Sequence, residues 1–119
     1  MHPNLTRYGL LGVKALVALA FLAAGIAKLS GVEMMVATFD AVGIGQWFRY
    51  ATGLIEIASA IMLFLPGLQA IGAGLLVGTM IGAVVAHFAV IGPTAVPAAI
   101  LGLLSAVILY SHRNQLRRA

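Results

Sequence analysis

Four long apolar runs, separated by glycine and proline breaks, leave few folds open to this sequence. A helix that crosses a bilayer needs about 20 mostly apolar residues, because the hydrocarbon core is about 30 Å thick and each residue rises about 1.5 Å. The runs at about 9–29, 47–65, 68–91 and 94–111 fall in that range. Pro66-Gly67 closes the second and Gly92-Pro93 the third. Pro97 sits in the first turn of the fourth, where a missing N–H costs little. Of 119 residues, 62% are hydrophobic and 8% charged. Soluble domains have about 45–50% and about 25% respectively. So short a chain buries only a modest share of its surface, so the apolar surplus must face lipid. The expected fold is all-α, a single integral membrane four-helix bundle over residues 1–119.

Residues 30–46 form the long connection between the first two spans. Val32, Met35, Val36, Phe39 and Val42 repeat at helical spacing, with Glu33 and Asp40 on another face. The pattern predicts a short amphipathic helix lying on the membrane or folded over the bundle mouth.

The net charge of +4 does not indicate a nucleic-acid partner. Arg7, Arg113, Arg117 and Arg118 flank the apolar runs, where basic residues orient spans and contact anionic lipids. Both termini are basic, whereas the 30–46 loop holds two acids and no lysine or arginine. With an even number of spans, the positive-inside rule puts both termini in the cytoplasm and the 30–46 and 92–94 connections outside. The first run resembles a signal peptide in following Arg7, but Lys14 lies within it and no cleavage site precedes soluble sequence. It reads as a retained first helix. The absence of cysteine removes disulfides, thiol redox chemistry and cysteine-ligated metals.

In the third run, Ala70, Gly74, Gly78, Gly82 and Ala86 place a small residue at every fourth position. Helices in lipid associate through close backbone approach, so this stripe predicts a packing seam within the bundle or between copies. Ala20, Ala24 and Ala27 make a weaker seam on the first run.

Ionisable groups inside a membrane are costly, about 2.5–3.5 kcal/mol on insertion scales, and mark functional sites. Glu56 lies near the middle of the second run, about 13–14 Å below Trp47 by the helical rise. Arg49, Thr52 and Ser59 share its helical face. Lys28 ends the first run, and His87 lies about 6 Å inside the end of the third. Met80 is on the face of His87, one level deeper. Each has a plain structural reading: Lys28 and Arg49 as snorkelling residues, His87 as packing, Glu56 as a protonated interhelical link. Together they predict an outward-facing polar pocket, with cations ringing a buried acid. The residues do not make a metal site, since one glutamate and one histidine on different helices fall short of a ligand set. His2 and His112 are terminal and leave His87 without a second axial ligand for haem.

The run Phe21-Leu22-Ala23-Ala24-Gly25-Ile26-Ala27-Lys28-Leu29 resembles the first-helix pattern of DoxX-like proteins. Arg49-Tyr50-Ala51-Thr52-Gly53-Leu54-Ile55-Glu56-Ile57 resembles their Gly-x-x-Glu signature, and Phe39 before Val42-Gly43 and the stretch from Met80 to His87 are similar in style. The likeness covers about residues 8–111. It implies a four-helix protein of a bacterial inner membrane, associated with an oxidoreductase system. The namesake is similar to the membrane subunit of a thiosulfate:quinone oxidoreductase. Without cysteine or an intrinsic electron carrier, such a role here needs a bound quinone or a redox partner protein. On this expectation Glu56 handles a proton or hydrogen-bonds the ligand. Lys28, Arg49 and His87 stabilise charge on it, Thr52 and Met80 line the site, and Phe39 closes its mouth. The alternative is a non-catalytic membrane scaffold or assembly factor whose polar groups set helix registry. Membrane lipids and a second copy of the chain are the other expected partners.

Overall fold

The computed structural model describes residues 3–91 and 95–118, and the described residues are helical with short turns. Helix α1 spans Pro3–Ser30, α2 Glu33–Val42, α3 Gln46–Met62 and α4 Gln69–Ala86. A π-helical turn, His87–Ile91, continues α4, and α5 (Val96–Ser111) and α6 (Asn114–Arg118) follow. The hydropathy runs located the long helices but not all their ends. Helix α1 begins six residues before the apolar run, at a proline suited to a first turn. Helix α3 stops at Met62, and the run's remainder passes through turns to Gly67, whose φ of 83° suits glycine. Helix α6 was not expected, because a short polar helix leaves no hydropathy signal. The Gly92-Pro93 break and the 92–94 connection lie outside the described residues, as does His2.

Helices α1, α3, α4 and α5 pack in a ring, with α1 against α3 and α5, and α4 against α3 and α5. Helix α2 lies against α3 and the π turn. The molecule measures 46 × 25 × 24 Å, its long axis close to the length of α1, about 42 Å for 28 residues at the helical rise.

The core consists of Val17, Ala18 and Phe21 from α1, Ala60 and Leu63 at the end of α3, Ala73, Leu76 and Met80 from α4, and Ala98 and Ile108 from α5. Arg49, Glu56, Ser59 and Ser105 are buried as well. By contrast Leu19, Ile26, Leu54, Ile61, Ile81, Val85, Leu103 and Val107 are all more than half exposed. An apolar exterior around buried charges is the arrangement that lipid, rather than water, rewards. Two helices, Arg7–Ser30 and Gln69–Ala89, are long and apolar enough to cross a membrane, and Val96–Ser111 is a shorter apolar helix.

Within the bundle, the expected seam on α4 is corrected by the structure. Ala70 is fully buried, but a Cβ built at Gly78 or Gly82 would meet nothing within 4 Å. The inward face of α4 instead carries Ala70, Gly72, Ala73, Leu76 and Met80. Close backbone approach occurs at glycines outside the stripe. A Cβ at Gly72 would lie 2.9 Å from the Ser59 carbonyl oxygen, and one at Gly25 would lie 2.8 Å from that of Gly53.

Candidate functional site

The crossing of α1 and α3 sets the site. Gly25 and Gly53 face one another so closely that a Cβ at Gly53 would lie 3.0 Å from the Gly25 carbonyl oxygen. Three residues beyond each glycine stands a charge: Lys28 after Gly25, Glu56 after Gly53. Neighbouring helices of opposite direction carry these two residues past the crossing on opposite sides. The Cα–Cβ bond of a helical residue tilts toward the helix N-terminus, so the lysine leans back down α1 and the glutamate back up α3. They meet: Lys28 Nζ lies 2.7 Å from Glu56 Oε1. Among the described residues, Glu56 Oε1 has no partner besides Lys28. The Glu56 side chain is 1% exposed and that of Lys28 12%. Among the described residues, no hydroxyl or backbone N–H donates to Glu56. Thr52 Oγ1 donates to the Phe48 carbonyl at 2.8 Å, and Ser59 Oγ is buried without a partner among the described residues.

Arg49 is buried above this pair. Its Nη1 donates to the Lys28 carbonyl oxygen and its Nε to Gln46 Oε1 at 2.7 Å, while its guanidinium lies 4.3 Å from the Tyr50 ring centre. The Lys28 carbonyl is among the last four of α1, which have no partner inside the helix, and a cation there also suits the helix dipole. Arg49 is therefore a cap supplied to α1 by α3. Gln46 Nε2 in turn donates to Asp40 Oδ1 at 2.7 Å and to the Val36 carbonyl at 3.0 Å, fastening α2 over the bundle. Phe39, 7% exposed, completes the attachment with its ring edge-on to Phe48 at 5.9 Å.

Beneath α2, between α3 and the upper half of α4, lies a cavity of about 680 Å³. Its walls are mostly apolar, from Met34, Met35, Phe39, Val42, Ile44, Phe48, Ile55, Met80 and Ala83. Lys28, Thr38, Thr52, Glu56, Thr79 and His87 supply the polar groups. His87 opens the π turn, and its Nδ1 is buried with no hydrogen-bond partner among the described residues. A π turn displaces the backbone relative to an α-helix and often occurs at functional sites. An apolar cavity with a few converging polar groups is the usual form of a small-molecule site.

Of the residues singled out from the sequence, Lys28, Phe39, Thr52, Glu56, Met80 and His87 all line this cavity. Arg49 does not; it is committed to the end of α1 and to Gln46. The pattern of cations above the acid is also different, because Lys28 is in direct contact with Glu56. Gln46 and Gly25 were missed. The spacing of Gly25 before Lys28, matching that of Gly53 before Glu56, was the available signal for the crossing. Among the described residues no group of three or more potential metal ligands occurs.

The family model described as the DoxX-like family matches residues 12–109. The chain belongs to the DoxX-like family. Neither the curated proteins nor the solved structures gave a match. The match to the DoxX-like family takes in the whole constellation, from Gly25 and Lys28 through Gln46, Arg49 and Glu56 to His87. Family membership agrees with the lipid-suited exterior: this DoxX-like chain is a membrane protein.

Proposed function

We propose that this DoxX-like chain is a four-span protein of a bacterial inner membrane, and that its cavity binds a small lipophilic, quinone-like ligand in support of an oxidoreductase partner. The spans are α1, α3, α4 with its π turn, and α5. Both termini lie in the cytoplasm under the positive-inside rule. Arg7 and Arg113 flank that end, whereas Glu33 and Asp40 flank the α2 end. The cations near α2 do not offset this asymmetry, since Lys28 pairs with Glu56 and Arg49 caps α1.

The observation that carries the reading is a buried ion pair set in the wall of an apolar cavity. Taking two charges out of water costs several kcal/mol per ion, and an apolar pair of similar volume often serves stability as well or better. A ligand gives the pair a use. A quinone carbonyl is a hydrogen-bond acceptor, which the Lys28 ammonium can meet, and His87 can meet a second oxygen from the π turn. Full reduction of a quinone takes two electrons and two protons. The electrons come from the redox partner, because the chain has no cysteine and no carrier of its own. In this reading Glu56 relays the two protons in turn from water to the quinone oxygens, with Thr52 beside it, Met80 in the wall and Phe39 under α2 as the roof.

Mass spectrometry of the lipid extract from purified protein tests this. Wild type is expected to carry a quinone-like molecule, and Glu56→Gln to keep its melting temperature and lose that molecule. A second reading has an observation of its own: the pair sits at the tightest crossing of α1 and α3, as a clasp between helices would. In that scaffold reading Glu56→Leu strands Lys28 and destabilises the protein by about 3 kcal/mol, with no ligand to lose. An empty extract together with a fully functional Glu56→Gln variant would retire the ligand reading.

A further inference from the structure

Glycine in a helix interior is destabilising by roughly 0.5–1 kcal/mol relative to alanine, and in lipid its common use is close packing. Gly25, Gly53 and Gly72 are used in that way, each with a carbonyl oxygen of the neighbouring helix within 3.0 Å of an added Cβ. Gly78 and Gly82 are not. Neither has any neighbour within 4 Å of an added Cβ, both are exposed, and both line the cavity. One turn apart on α4, they form one edge of the cavity. Ile55 of α3, 41% exposed, and Met34 of α2, 67% exposed, line the same cavity and face outward. Gly78 stands at the middle of an 18-residue apolar helix. At that depth an opening meets hydrocarbon, not water.

We infer that the cavity is open sideways to lipid along the Gly78–Gly82 edge, and that its ligand is a two-part amphiphile. The ring lies against Lys28, Glu56 and His87, and an alkyl tail leaves along the glycine edge. The inference rests on the quinone-like reading and adds to it the tail and its path. A compact polar ring alone leaves the edge unfilled, whereas a tail needs a slot without side chains.

The test uses full-length protein in detergent and two probes, a decyl-substituted benzoquinone and the same ring without a chain. Affinity is read from the rise in melting temperature with ligand concentration. Gly78→Leu and Gly82→Leu introduce a good helix former into open space, so both should fold, which circular dichroism and the ligand-free melting temperature check. Each variant is expected to weaken the decyl quinone about tenfold and the chainless ring by less than about twofold. Unchanged affinity for the decyl quinone overturns the inference, as does equal loss for both probes. A changed oligomeric state overturns it too, because the edge is then an interface between copies. If wild type binds neither probe, the ligand reading itself fails and the tail path with it. If wild type binds the decyl quinone, Glu56→Gln does not, and both leucine variants do, the ligand reading stands and only the tail path is lost.

Discussion

The two ends of the bundle are built on different terms. Toward the termini, Val17, Phe21, Leu63, Leu76 and Ile108 are at most 1% exposed and fill the space between four helices. Toward α2 there is a cavity of about 680 Å³, with an arginine and a glutamate buried and a lysine partly buried around it. The first end is what helix packing needs and no more. The second gives up contacts and accepts desolvated charge, a departure from consistency that proteins reserve for functional sites. The terminal end thus supplies close packing, and the α2 end is where the proposed ligand site lies.

That division can be broken by truncating one aromatic residue from each end. Phe→Ala costs about 3–5 kcal/mol in a water-soluble core, part of it hydrophobic transfer and part the cavity left behind. Lipid removes most of the transfer part between helices, so Phe21→Ala should lose roughly 2 kcal/mol. Phe39→Ala already borders a cavity and gives up mainly its edge contact with Phe48, worth about 1 kcal/mol. Reversible unfolding of both variants in mixed micelles measures the difference. Equal losses would mean that α2 is as much a part of the stable core as α1.

A second pair sharpens the comparison through glycine. Gly25→Ala places a methyl 2.8 Å from the Gly53 carbonyl oxygen and 2.5 Å from Ile57 Cγ1, so the helices must part. Overpacking of this kind costs about 1–3 kcal/mol. Gly78→Ala meets nothing and should gain a few tenths to about 1 kcal/mol from helix propensity. A drop in melting temperature for the first and a small rise for the second is the expected pair. A Gly78→Ala variant that unfolds more readily than wild type would restore the packing role that the fourfold stripe suggested.

These cases also show what could be read from the sequence. Apolar run length located α1, α3, α4 and α5, because glycine and proline breaks mark off each run. Counting residues along each run put Lys28, Glu56 and His87 toward the α2 side of the bundle, and helical spacing gave their faces. Spacing was enough to suggest that Thr52 and Met80 share a site with them, though it included Arg49 as well, and Phe39 was added by the resemblance to DoxX-like proteins. What spacing cannot give is the partner opposite. The stripe at 70–86 was visible as small residues, but only the fold separates Ala70, which is buried, from Gly78 and Gly82, which border the cavity. Arg49 went to a carbonyl that is free only because α1 ends at Ser30, and Gln46 matters only because α2 folds back within its reach. The π turn at His87–Ile91 arises where α4 meets α2, a tertiary circumstance with no local signature.

The smallest effect lies at the terminal end, where one polar contact joins α1 to the end of α5. Lys14 Nζ lies 3.4 Å from His112 Nε2, so the neutral imidazole is the acceptor. Partial burial first, and the Lys14 charge second, push the His112 pKa below its ordinary value. The folded state thus binds this proton less readily than the unfolded chain does. A group whose folded pKa is depressed contributes its stability above the unfolded value, near 6.5 for histidine. As pH falls below that value the unfolded chain takes up the proton first, and stability declines until the folded state is protonated too. His112 is only partly buried, so the decline should be slight. Melting temperatures at about pH 8 and about pH 5 should differ more for wild type than for His112→Gln, which keeps an acceptor but does not titrate. The same difference in both proteins would assign the pH dependence to another group and leave the Lys14 contact without a share in holding α1 to α5.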